Sequence, residues 1–215
     1  MKKYELTEET VTVYGKTLYR IRAVRDFGSV KTGEFGGYIE KEENLSHFGN
    51  AWVSGNAWVF DNARVYDNAW VFGNAWVFDN ARVYDDTWVY GNAKVYDDAW
   101  VCGDAWVFGN AKVYDDAWVC GDAKVYGDAW VSGNAEVFNT RHFFVQGPIG
   151  SRNGFITFYR TKDNTVEVRC GCFSGSLQEF VDRVEETHGG SRYEKEYKLA
   201  AELAKVCIRL EGESR

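Results

Sequence analysis

Histidine is nearly missing from this chain of 215 residues: there are three, and none falls between Ala51 and Thr140. Chemistry that needs an imidazole to move a proton is left to His47, His142 and His188. Long apolar runs are missing too. No stretch approaches the length of a membrane span, and the start, M-K-K-Y-E-L, lacks the apolar core of a secretory leader; no membrane partner and a cytoplasmic location are expected. Positive charge is in short supply, with a net charge of −7. From Ala51 to Thr140, 13 Asp and Glu face 5 Lys and Arg, a balance that repels duplex nucleic acid. The five cysteines spell neither a metal cluster nor a disulfide framework. Cys102 and Cys120 read as small outward residues, and Cys170 and Cys172 as alternate residues of one strand, too close for an ordinary bridge. No metal is expected, because calcium needs several oxygens converging on one point, whereas the twelve Asp of this region suit turns whose side chains radiate outward.

What is present is a six-residue phrase written fifteen times from Ala51 to Thr140 without insertion. It reads Ala, variable, Val, variable, Gly or Asp, Asn or Asp. Ala gives way only at Thr87, and Val never does. Alternation over the first four slots puts Ala and Val on one face of a short strand, and the last two slots are turn chemistry tolerant of left-handed backbone. A helix is excluded, since period six scatters Val around a 3.6-residue turn. Ala and Val must line the narrow bore of a solenoid, because stacked Trp and Tyr would not fit there. Residues in the second slot repeat three units apart in 7 of 12 pairs, which favours a three-sided, 18-residue coil and about five coils.

Val59 with Ala63, and Val65 with Ala69, give the aliphatic and small residues four positions apart by which the array resembles the hexapeptide-repeat family of left-handed parallel β-helices. The resemblance implies a mainly β, left-handed, three-sided helix and side-by-side homotrimers. Many members are acyl- or acetyltransferases that hold acyl-CoA beside a histidine base. Here the small or acidic residue expected after the aliphatic is replaced by Phe, Tyr, Cys or Ser, which changes the outer surface and leaves the bore intact.

The flanks differ from the array. Residues 1–44 are expected to form a β cap: two strands around Gly15, then a glycine-rich bend from Gly33 to Glu40. Residues 45–140 are the β-helix, with Leu45 to Asn50 as an irregular first unit and His47 in the Val slot. Residues 141–215 read as an α/β module of three strands and two helices. Ser176 with Glu179 opens the first helix, Gly189 and Gly190 end it, and Ser191 opens the second, whose apolar face is Tyr197, Ala200, Leu203, Ala204 and Ile208. The stretches G-P-I-G-S-R-N and C-G-C-F-S-G-S-L-Q-E-F are similar to a tail module of phage and prophage proteins, which implies a phage-encoded protein acting in the host cytoplasm.

All nine Trp occupy second slots, so three-sided stacking makes ladders of them. One face carries Trp52, Trp70, Trp88 and Trp106 beside Phe72, Tyr90 and Phe108, with no charge before Lys124. It is the expected oligomer seam, since so large an apolar area marks an interface. The second face carries Trp58, Trp76, Lys94 and Lys112, and the third Arg64, Arg82, Trp100 and Trp118. Paired cations among aromatic rings suit the base and phosphate of a small nucleotide. The expectation is a non-catalytic oligomeric binding or scaffold protein, without cofactor, that holds a host partner protein or sequesters a small anionic ligand such as a signalling nucleotide. The family resemblance supplies the alternative, an acyltransferase using acetyl-CoA or another acyl-CoA with His47 or His142 as base.

Overall fold

The structure, a computed structural model, describes residues 2–212. Its spine is a three-sided β-solenoid of about six turns. Fifteen rungs of two residues, β4 (Trp52–Val53) to β18 (Glu136–Val137), come from the second and third slots of the fifteen units. Each pairs in parallel with the rung three units on, as Trp52 does with Trp70, Trp58 with Trp76 and Arg64 with Arg82. The strand is shorter than the expected four residues because the corner begins at the fourth slot. There a carbonyl accepts from the N–H of the next Ala, at 3.3 Å from Ala63 to Phe60 and 3.2 Å from Ala69 to Tyr66.

Corners are left-handed at the fifth slot, with φ of 55–60° at six aspartates such as Asp61 and Asp97. Gly takes one corner in each of the first two coils and two in each of the last three, and a Cβ on Gly91 would stand 3.0 Å from the Gly109 carbonyl oxygen. Corner side chains do not radiate away as expected. They join coils: Asn74 donates to Asn92 at 3.1 Å, Asn92 to Asn110 at 3.0 Å, and the Asp85 carboxylate accepts the Gly103 N–H at 3.1 Å. This satisfies polar groups that stacking would otherwise leave without partners. Inside, the Ala and Val slots from Ala51 to Val137 are at most 1% exposed, and Thr87 joins them by donating its hydroxyl to the Tyr84 carbonyl at 2.7 Å.

Three strands cover the near end. β1 (Tyr4–Val13) and β2 (Lys16–Ala23) form the expected hairpin. The expected bend is instead a strand, β3 (Phe35–Ile39), which pairs antiparallel with β2 and parallel with the rung Trp58–Val59. Its glycines serve close approach, since a Cβ on Gly36 would fall 2.6 Å from the Val53 carbonyl oxygen. Leu45, not His47, takes the Val slot of the first unit, buried and bridged to Val65. An aliphatic side chain fills an apolar bore at no polar cost, whereas an imidazole would need partners there.

The far end meets a four-stranded antiparallel sheet, one strand more than expected: β19 (Phe143–Ile149), β20 (Gly154–Arg160), β21 (Val166–Cys170) and β22 (Phe173–Ser176). Phe143 and Tyr159 extend the solenoid core, Ala135 bridges Thr161, and the Trp130 N–H donates to Thr157 Oγ1 at 2.9 Å. Helices α1 (Leu177–His188) and α2 (Arg192–Cys207) cover the other side of the sheet. Ser176 and Glu179 form the expected capping box and Ser191 caps α2. Leu203 leaves the expected apolar face, 46% exposed, and Ala201 takes its place in the core. Among the described residues no helix is long and apolar enough to cross a membrane.

Candidate functional site

The outward rings stack at strand spacing. Phe60, Phe78, Tyr96 and Tyr114 form one column with centroids 4.9–5.0 Å apart, and Phe72, Tyr90 and Phe108 another at the same spacing. Trp58 stacks on Trp76 at 4.6 Å, Trp88 on Trp106 at 5.4 Å and Trp100 on Trp118 at 5.0 Å. Cations between them rest on indole faces. Lys94 lies 4.0 Å from the Trp76 ring centre, Lys112 4.2 Å from Trp130, Lys124 4.8 Å from Trp106 and Arg82 4.7 Å from Trp100. Cation–π contact with a neighbouring coil therefore engages Arg82, Lys94 and Lys112, which sequence alone assigned to a ligand. Arg64 is exposed at the near end of its column.

Trp52 corrects the proposed seam. It is fully buried under the near-end strands, 5.3 Å from the Phe27 ring and 6.4 Å from Tyr4, so it cannot face a second molecule. Trp70 is partly buried against the core, and Trp88 is 42% exposed.

The cysteines also depart from expectation. Cys102 and Cys120 form a disulfide, because equivalent slots one coil apart put their Cα atoms 4.5 Å apart, within bridging range. Cys172 lies in the tight turn between β21 and β22 rather than on one strand with Cys170. Among the described residues no three His, Cys, Asp or Glu gather as a metal site.

The histidines are dispersed. His47 stacks on Tyr4 at 4.3 Å, accepts the Lys3 N–H at 3.3 Å and approaches Glu42 at 3.5 Å. His142 is buried past the last rung, where its Nδ1 accepts the Phe138 N–H at 3.2 Å and its Nε2 pairs with Asn139 at 3.0 Å. Burial, and then the Arg160 charge, lower its pKa. The two imidazoles belong to opposite ends of the solenoid and share no site.

Where the second face meets the module there is a cleft of about 1100 Å³. The solenoid contributes Lys112, Asp128 and Trp130. The module contributes Arg152, Phe155, Arg169, Cys170, Cys172 and Phe173 from its sheet and turns, with Arg183, His188 and Tyr197 from its helices. Four cations and one carboxylate, Asp128, line it, and two of the cations have acidic partners just outside the lining, Arg169 with Asp115 at 3.7 Å and Arg183 with Glu186. Arg169 is held by Ser132 Oγ at 2.8 Å, and Arg183 pairs with Glu186 at 2.8 Å. Arg152 has no ion pair among the described residues. Burial raises the pKa of the Tyr197 hydroxyl and of the Cys170 thiol, the latter helped by Cys172, so both stay protonated.

Of the ligand residues expected from sequence, only Lys112 reaches this cleft. Arg152, Arg169, Arg183, His188 and the C-G-C turn were not singled out as a site, because nothing in their local spacing shows that the module folds back on the last coils. The cation-rich turn and strand, G-S-R-N and V-R-C-G-C, are the one local signal.

Residues 63–78 and 75–91 match the family model of the YdcK beta solenoid repeat. No curated protein matches the chain. The match spans a few units in the first half of the array, and with the coil geometry it shows that these repeats are similar to a β-solenoid repeat family.

Proposed function

We propose that this protein is a non-catalytic binding protein whose cleft holds a small anionic ligand with a planar ring, of the nucleotide class. The observation that carries the reading is the cleft lining, in which Lys112, Arg152, Arg169 and Arg183 stand beside Trp130, Phe155 and Phe173 with Asp128 as the one acid. The guanidinium groups, and the Lys112 ammonium held against Trp130, complement phosphates, and the Phe155 and Phe173 rings offer flat faces to a base. A scaffold role belongs to the same proposal: a homotrimer joined through Trp70, Trp88, Trp106, Phe72, Tyr90 and Phe108. So does a phage origin with action in the host cytoplasm, as the tail module's resemblance implies.

Thermal denaturation against mononucleotides, cyclic dinucleotides and acetyl-CoA tests the site. A nucleotide at about 100 times its Kd stabilises by about 2.7 kcal/mol, and Arg152→Glu or Lys112→Glu should abolish the shift. If no nucleotide moves the melt, the reading fails. One observation favours the rival acyl-CoA-dependent acyltransferase, namely that His188 lines the cleft and contacts Tyr197 at 5.4 Å between rings. Stabilisation by acetyl-CoA, with acyl transfer lost in His188→Ala, would establish that rival.

A further inference from the structure

A buried tyrosine hydroxyl finds its hydrogen-bond partner either inside the protein or on something bound to it. Among the described residues four tyrosines are buried. Tyr4 donates its O–H to the Leu45 carbonyl at 2.7 Å, Tyr38 to Glu9 at 2.8 Å, and Tyr159 meets Ser132 Oγ at 3.5 Å. Tyr197 is the exception. It is 9% exposed and lines the cleft, and its hydroxyl has no hydrogen-bond partner among the described residues.

The fold brings further donors beside it. The Tyr197 oxygen lies against the turn between β19 and β20, where a Cβ on Gly150 would collide with it. The Gly150 N–H donates to Glu196 Oε2 at 2.9 Å, which ties that turn to α2 and brings Arg152 of the same turn near enough for its charge to act on Tyr197. His188, at the end of α1, holds its ring 5.4 Å from that of Tyr197. Glu196 is close as well, but its carboxylate is taken by the Gly150 N–H and by Arg192 at 3.7 Å, and it does not line the cleft.

We propose that Tyr197, Arg152 and His188 form a phosphomonoester subsite at the module end of the cleft, with the Tyr197 O–H as the donor that selects a terminal phosphate. This deepens, and rests on, the reading of the cleft as a nucleotide site. A guanidinium fork takes two oxygens side by side, and the hydroxyl needs a third. A monoester offers three free oxygens, a cyclic diester two.

Calorimetric titration of the full chain with ribonucleoside 5′-monophosphates and their 3′,5′-cyclic counterparts tests the subsite. Wild type should bind a monophosphate on the order of tenfold tighter than its cyclic form, and Tyr197→Phe should lose that factor for the monophosphate alone, as one hydrogen bond to a charged group allows. Arg152→Gln, on an exposed turn, makes the same comparison if Tyr197→Phe does not fold, and should also lose the preference. Equal wild-type affinity for the two forms, or a preference that survives these substitutions, overturns the subsite and leaves the nucleotide cleft standing. Ribose 5-phosphate bound as tightly as the nucleotides upholds the subsite and removes the planar ring from the reading of the cleft. No binding by any of these probes overturns both.

Discussion

Lys3 is fully buried at the near end of the solenoid, its ammonium donating to the Ala51 carbonyl at 2.6 Å and lying 4.9 Å from the Phe27 ring centre. Desolvation, with the Arg25 charge second, lowers its pKa from 10.5 to about 8. Between about pH 8 and pH 10 the unfolded chain keeps a proton that the folded chain has released, so stability should rise with pH in that window. Above pH 10, Tyr4 acts the other way, since burial raises its pKa and the unfolded chain loses that proton first. Cys170, whose pKa burial raises, acts against Lys3 in this window, so urea unfolding across pH 8 to 10 should show a more upward slope in wild type than in Lys3→Met. Equal slopes in the two proteins would mean that Lys3 titrates normally.

Each rung presents one buried and one outward residue, and the two should respond very differently to truncation. Val95 is fully buried in the middle of the bore, whereas Lys94 beside it rests on Trp76 at the surface. Removing two methyl groups from the bore should cost about 2–3 kcal/mol in Val95→Ala, since the rigid coils cannot close the gap. Losing the cation–π contact in Lys94→Ala should cost about 0.5–1 kcal/mol. Chemical denaturation of the two variants makes the comparison, and a larger loss for Lys94→Ala would reverse the assignment of inside and outside.

For the whole molecule, both ends of the bore are covered by sheets of the same chain, which shield the apolar interior of the first and last coils. Trp88 and Trp118, each 42% exposed, are the most exposed indoles. If the first face is a seam, light scattering should give a trimer mass for wild type and a monomer for Trp88→Glu with Trp106→Glu. A wild-type monomer at micromolar concentration would remove the seam and leave the ladders as stabilising surface alone.

The coil was legible in the sequence because its determinants are local and repeated. Val at every third slot, a small residue at the first and a left-handed corner at the fifth admit one way of stacking, and the three-unit recurrence of the second slot set the period. The helix caps at Ser176 and Ser191 were legible for the same reason, since a capping hydrogen bond spans three residues. The burial of Trp52, the pairing of Cys102 with Cys120 and the slip that put Leu45 where His47 was expected depend on what lies one coil away or on the cap above, so no single unit encodes them. The cleft is the extreme case. Lys112 and Arg152 come from different units of the fold, and only the docking of the C-terminal sheet on the last coils, through Phe143, Tyr159 and Thr161, put their charges around one space. Repetition determined the tube; long-range packing decided where it can bind.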